Sequence, residues 1–409
     1  MPRSDESRPA RRSDPPTVST AALDRDPHGV FRRHRIFTPL IQREDGAYVA
    51  ILAGDVERLA TDPRTRQIET ELLQLRGVTE GALFDFFNNS MLLSNGPDHR
   101  RRRAPLSRVF ASRLITGLRP RMRAIAHDLI DSVYAQGEMN VLDQFAAPFP
   151  AEIVSEILGL PETDVPRFTG WVSQLSRALS ASFTREEVPE IDAAAGHLTA
   201  YVGELLASRR AAPRSDFLTS YAVEAEQEGN LSPIETLIQI VTVILGGSDT
   251  TRVATTILTA LLLQHRDQWD AVCRDTTLIP GAVSEALRYE PSVGSIPRFT
   301  LQDIEFGDYV VPRDRILSLS TLSAMRDPAL YAEPDSFNIR RTDHPRRHVV
   351  FGAGAHRCLG EVLARAELEE GLAALVERLP QLQVDGCPPT VFGHAGIRRV
   401  DAMRVSWPR

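Results

Sequence analysis

The chain has 409 residues, 42% of them hydrophobic and 25% charged, a balance that suits a globular protein with a substantial core. All 47 cationic residues are arginine, so every mechanism that needs an ε-amino group is excluded, from Schiff bases and pyridoxal anchors to P-loop and kinase lysines. The net charge of −7 argues against a nucleic-acid partner, and three scattered cysteines (Cys273, Cys358, Cys387) exclude zinc ribbons, ferredoxin-type clusters and a disulfide scaffold.

The first residues, about 1–20, mix proline, serine and both charge signs without an apolar signal region, and read as a flexible tail. A strand is predicted over Ala47–Leu52, followed by a short helix ending near Pro63. From about Ala104 to Glu228 the pattern is helical, with breaks expected at prolines 148, 150, 161 and 166. A long helical pattern runs from Pro233 to about His265, and another covers Ala282–Arg288. Strands are expected between Ile296 and Leu319 around a turn at Gly307-Asp308, then a loop-rich stretch over Asp327–Ala355. A strong helix over Leu359–Leu379 and short strands to Trp407 close the chain. The most apolar run, Thr236–Ser248, is 13 residues long, short of the ~20 a membrane helix needs. The whole reads as mainly α with a minor β portion.

Three segments carry chemistry. In Phe351-Gly-Ala-Gly-Ala-His-Arg-Cys358-Leu-Gly360 two glycines can take positive φ and bring the backbone close to something flat. Cys358 falls near a helix start, where backbone N–H groups favour a thiolate. Such a cysteine is a nucleophile, a metal ligand or an ordinary buried residue, and no base is obviously placed for the first. In Leu245-Gly246-Gly247-Ser248-Asp249-Thr250-Thr251 two glycines interrupt an apolar helix just before an acid and hydroxyls. The run is either a helix end followed by a new cap or a helix lying over a cofactor. Glu285-x-x-Arg288 places an acid and a base on one helix face.

The cysteine segment matches all six fixed positions of Phe-Gly-x-Gly-x-His-x-Cys-x-Gly, and here the chain resembles the cytochrome P450 family of haem-thiolate monooxygenases. The glycine–acid–threonine run and Glu285-x-x-Arg288 are similar to further motifs of that family, as are Arg326-Asp327-Pro328, Phe337, Arg340 and Leu363-Ala364-Arg365-x-Glu367. The resemblance implies a single-domain P450 fold over about residues 21–409, with a long central helix over haem b. It implies that Cys358 is the axial thiolate, with Phe351 beside it and Gly247 making room. It implies that Thr250 guides protonation of oxygen at the iron and that Asp249 relays protons from solvent, which favours O2 activation with supplied electrons. His99, Arg103, Arg298 and His356 would hold the two propionates, while Arg100, Arg101 and Arg102 are expected to be solvated. Glu285 and Arg288 would form a buried network with an arginine or histidine of the later loop. Two departures, Met325 and Pro312-Arg313-Asp314, fall in loops, and no role is assigned to Arg252.

The resemblance implies that substrate is bound among Phe84–Asn89, Val241–Gly247, Val293–Ile296 and Phe392–Ile397, whose mainly apolar and aromatic side chains suit a small hydrophobic or amphipathic organic molecule. Electrons would come from a ferredoxin with its ferredoxin reductase in the cytoplasm. The ferredoxin would be steered by Arg346, Arg347, Arg357 and part of the Arg100–Arg103 run. No membrane and no nucleic acid are expected as partners. Two other readings are a haem-thiolate enzyme of peroxide-driven, coupling or dehydrating type, which the acid–alcohol pair disfavours, and a haem-based sensor, which would have no use for that pair.

Overall fold

The longest element is the helix Pro233–Gln264, 32 residues and so about 48 Å long. It starts cleanly because Ser232 and Glu235 form a capping box and Pro233 fills the first turn, where no N–H partner is needed. It passes through Gly246-Gly247 without a break, so the two-helix alternative does not hold. Nearly all its faces are buried, as its apolar composition requires. Around it pack Pro148–Leu158, Val165–Ser176, Val188–Ala211, Ile279–Tyr289 and Glu361–Arg378. This computed structural model describes residues 14–110, 112–179, 183–345 and 348–408.

The fold is mainly helical with a minor β portion. The largest sheet has six strands in the spatial order Thr17–Val18, Leu40–Arg43, Tyr48–Ala50, Ile316–Ser320, Ser295–Thr300, Thr65–Gln67. Its register sets Arg298 opposite Gln67 and Ile296 opposite Leu319. The turn at Gly307 has φ of 57° and joins Ile304–Phe306 to Tyr309–Val311. Of the four prolines expected at breaks, Pro161 lies in the gap after the helix Pro148–Leu158, while Pro148, Pro150 and Pro166 sit in the opening turns of helices.

The largest departure from expectation is at the N-terminus. The tail assigned to residues 1–20 ends in structure, since Thr17–Val18 pairs in parallel with Gln42–Arg43 and Val18 is buried. Two helices not foreseen, Thr20–Arg25 and Pro27–Arg35, follow and pack with Ile41, Val49, Ile51 and Leu322. Among the described residues no helix is long and apolar enough to cross a membrane.

Candidate functional site

Between the central helix and the cysteine segment lies a cavity of about 1230 Å³. Its lining includes Cys358, Phe351, His356, His99, Arg103, Arg298, Gly247 and Thr250, eight of the nine positions expected from sequence. Asp249, the ninth, does not line it.

Cys358 is held by the segment foreseen. Gly352 and Gly354 take φ of 72° and 60°, and a Cβ on Gly354 would lie 2.8 Å from Thr61 Cγ2. The Cys358 N–H donates to the Phe351 carbonyl at 2.7 Å, closing the loop so that the sulfur faces the cavity. The following helix begins at Glu361 rather than 359. Burial pushes the Cys358 thiol above its ordinary pKa, and the Gly360 N–H, Arg103 and Arg357 offset only part of this. The thiolate favoured by the helix start is therefore not the resting form, although coordination to a metal removes a thiol proton outright. Among the described residues no group of three or more His, Cys, Asp or Glu is placed to hold a metal ion. Cys358 is thus a single protein donor, which suits a metal whose remaining ligands come from a bound group rather than from side chains.

On the same side stand four basic groups. Arg298 is buried and donates to Thr65 Oγ1 at 3.0 Å and to the Thr65 carbonyl at 2.9 Å. The rings of His99 and His356 stack with centroids 4.0 Å apart. Burial, with Arg103 next, lowers His99 to a pKa of about 4; burial, with His99 and Arg298 next, lowers His356 to about 3. Arg103 donates to the Arg357 carbonyl at 2.7 Å. Among the described residues no carboxylate is ion-paired with any of the four. At neutral pH the two imidazoles are uncharged, which leaves Arg103 and Arg298 as cations without a carboxylate partner; such charges are costly to keep inside, and two propionates are the kind of charge that would relieve them.

The neighbouring arginines depart from expectation. Only Arg100 is exposed. Arg101 and Arg102 both bind Glu235, at 2.6 and 2.9 Å, and so fasten the helix Gly96–Val109 to the first turn of the central helix. Sequence reasoning missed this because Glu235 lies more than 130 residues away. Arg357, named for steering a redox partner, is instead paired with Glu361 at 2.5 Å and with the Gly352 carbonyl at 3.0 Å. Arg346 and Arg347 lie outside the described residues.

The central helix brings Gly246, Gly247, Thr250 and Thr251 to the cavity. A Cβ on Gly247 would meet Val154 Cγ2 at 2.9 Å, so this glycine mainly admits the helix Pro148–Leu158, whereas Gly246 faces open space. The Thr250 hydroxyl donates to the Gly246 carbonyl at 3.0 Å. Asp249 is buried, and its carboxylate accepts from Arg252 Nε at 2.9 Å and Nη2 at 2.5 Å. That pairing gives Arg252 a place, and the i,i+3 spacing was there to be read. Glu367 also reaches the cavity; burial pushes its carboxyl well above the usual carboxylate range, and nearby Thr251 offsets only part of that.

The Glu285–Arg288 pair is fully buried, at 2.7 and 2.8 Å. Arg288 also donates to the carbonyls of Met325, Pro334 and Ser336. The later-loop arginine on Glu285 is Arg341, at 3.1 Å, while Arg340 is exposed. The apolar end of the cavity draws on all four segments expected to face substrate, through Phe87, Val243, Val293, Ile296 and Ile397, and also on Ile157 and Leu179.

Comparison with known proteins agrees with this arrangement. The family model described as Cytochrome P450 matches residues 76–392. The chain is 44% identical over 392 residues to plant-inducible cytochrome P450-pinF1 of Rhizobium radiobacter, covering 96% of this chain and 93% of that protein. It is 31% identical over 330 residues to the 6-deoxyerythronolide B hydroxylase of Saccharopolyspora erythraea, with 80% of each chain covered. The solved structure of myxobacterial cytochrome P450 CYP267B1 in complex with myristic acid superposes with a TM-score of 0.86 at 32% identity, over 95% of this chain and 98% of that one.

Proposed function

Because the chain belongs to the cytochrome P450 family and is a haem-thiolate monooxygenase, we propose that Cys358 ligates the iron of haem b and that Thr250 and Asp249 handle the protons of O2 activation on a hydrophobic substrate. The observation that carries this is a sulfur at one wall of a cavity that also presents four basic groups, none of them ion-paired with a carboxylate among the described residues. Bound haem supplies an iron that takes up O2 and transfers one oxygen atom to the substrate. The balance is two electrons and two protons per O2, with the second oxygen atom leaving as water. Electrons come from a redox partner; a ferredoxin in the cytoplasm is the proposed donor, and the free thiols Cys273 and Cys387 suit that reducing setting.

The residues divide the work by position. Arg103, Arg298, His99 and His356 would hold the two propionates. Thr250 Oγ holds a proton on the Gly246 carbonyl and can hand it into the cavity while accepting another from water. Asp249 is the nearest acid along the helix; Arg252 holds its carboxylate in the protein interior, so supply of a proton requires that pair to open. The apolar wall suits a substrate with a large hydrocarbon portion. The myristic acid bound to CYP267B1 is of that kind.

The test is spectroscopic. The reduced protein under carbon monoxide should show the strongly red-shifted Soret band of a thiolate ligand, and Cys358→Ala should lose it. Thr250→Ala should keep the band but divert reductant into peroxide. A Cys358→Ala protein with an unchanged band would overturn the assignment.

A further inference from the structure

The cavity wall Ala395-Gly396-Ile397 is fastened from both ends by side chains that point away from the cavity. On one side His394 Nδ1 bonds Asp24 at 2.7 Å, and on the other Arg398 binds Glu290. Arg398 also donates to the Gly393 carbonyl at 2.8 Å, which closes the loop on itself. Glu290 in turn takes His28 Nε2 at 3.0 Å and Arg326 at 3.3 Å. Burial works against the Glu290 charge, but Arg398, His28 and Arg326 outweigh it and hold the carboxyl well below the usual range. Asp24 and His28 belong to the two N-terminal helices, Thr20–Arg25 and Pro27–Arg35. The opposite side of the wall is equally constrained. The Gly294 N–H donates to the Gly396 carbonyl at 2.8 Å, and a Cβ on Gly294 would lie 2.7 Å from the His394 backbone.

We propose that these N-terminal helices are a clasp that positions the wall Ala395–Ile397, through Asp24–His394 and His28–Glu290–Arg398, and thereby help decide which bulky ligands the cavity accepts. Asp24 is a positioning residue: it touches no ligand and acts through His394. Its half-exposed carboxylate is held below its ordinary pKa chiefly by the His394 hydrogen bond, so the contact is charge-assisted. Without it the wall keeps only the Arg398 fastening and its backbone bonds to Gly294 and Ser292. A bulky ligand must then order the loop on binding, whereas one too small to reach the wall is indifferent.

This inference rests on the haem-binding reading of the cavity, and two azoles separate the two. Imidazole binds iron and stays close to it; clotrimazole carries three aryl rings that fill the space beyond. Both are titrated into the haem-loaded protein and followed by the Soret shift. Asp24→Ala should weaken clotrimazole by about two- to tenfold, the worth of one hydrogen bond, and leave imidazole within about twofold. Arg25→Ala, an exposed neighbour on the same helix, should change neither. An unchanged or tightened clotrimazole affinity in Asp24→Ala would overturn the clasp, as would the same loss in Arg25→Ala or an equal loss for both azoles. Failure of imidazole to shift the band in the parent protein would instead overturn the haem reading itself.

Discussion

Replacing Arg298 with leucine should move the haem-free and haem-loaded proteins in opposite directions. Burial lowers the Arg298 guanidinium from 12.5 to a pKa of about 10, yet at pH 7 it remains charged in both the folded and unfolded chains. Keeping that charge inside therefore costs about 3 kcal/mol at 1.36 kcal/mol per pKa unit. The bonds to Thr65 and Gln67 stand outside that balance, and their loss takes back about 1 kcal/mol. Arg298→Leu should thus stabilise the haem-free chain by about 1–2 kcal/mol, read as a higher urea midpoint with unchanged slope. The haem-loaded chain should lose a charge-assisted contact worth about 1.5–3 kcal/mol, so haem passes to an acceptor globin roughly 10- to 150-fold more readily. Stabilisation of both forms would show that Arg298 faces no anion when the cavity is filled, and destabilisation of the haem-free form would show that burial of its charge is not costly.

Three further outcomes are expected. Arg341→Leu should lower stability by about 3 kcal/mol because it strips a partner from buried Glu285, whereas Arg340→Leu should stay within about 0.5 kcal/mol; paired denaturant titrations check the contrast. His99 and His356 have folded pKa values below 6.5, so the unfolded chain binds more protons in acid. Haem-free protein should then be fully stable above about pH 6.5 and lose about 1–2 kcal/mol per imidazole by pH 5, while bound propionates should shield the loaded form; urea midpoints at the two pH values measure this. Arg252→Gln should free the Asp249 carboxylate and change the solvent isotope effect on turnover with little change in the carbon-monoxide band, and an unaltered isotope effect would place the proton supply elsewhere.

What could be read in the sequence was what is written locally. The cysteine loop, the span of the central helix and the turn at Gly307 depend on glycines, caps and periodicity within a few residues of each other, whereas the passage of that helix through Gly246-Gly247 was settled only by the structure. What could not be read depends on partners distant in the chain. Arg102 looks solvated until Glu235 is brought to it by the start of another helix, and Arg341 differs from Arg340 only through which face of a loop meets Glu285. The helix Pro27–Arg35 is rich in arginine and weak in apolar pattern, so its burial was hidden; Val30 and Phe31 supply it, and His28 contributes a contact to Glu290, 262 residues onward. Asp249 and Arg252 are the exception, a distinctively local pair whose meeting follows from the three-residue helical spacing alone.

The adjoining glycines of the central helix offer unequal scope to anyone reshaping the enzyme. At 247 even a methyl group collides with Val154, and the penalty would fall on the packing of two helices. At 246 an added Cβ meets no protein atom within 4 Å and would face the cavity. A graded series there, from alanine through valine to phenylalanine, would act as a dial on ligand size, trimming the reaction space from one side while the scaffold stays as it is.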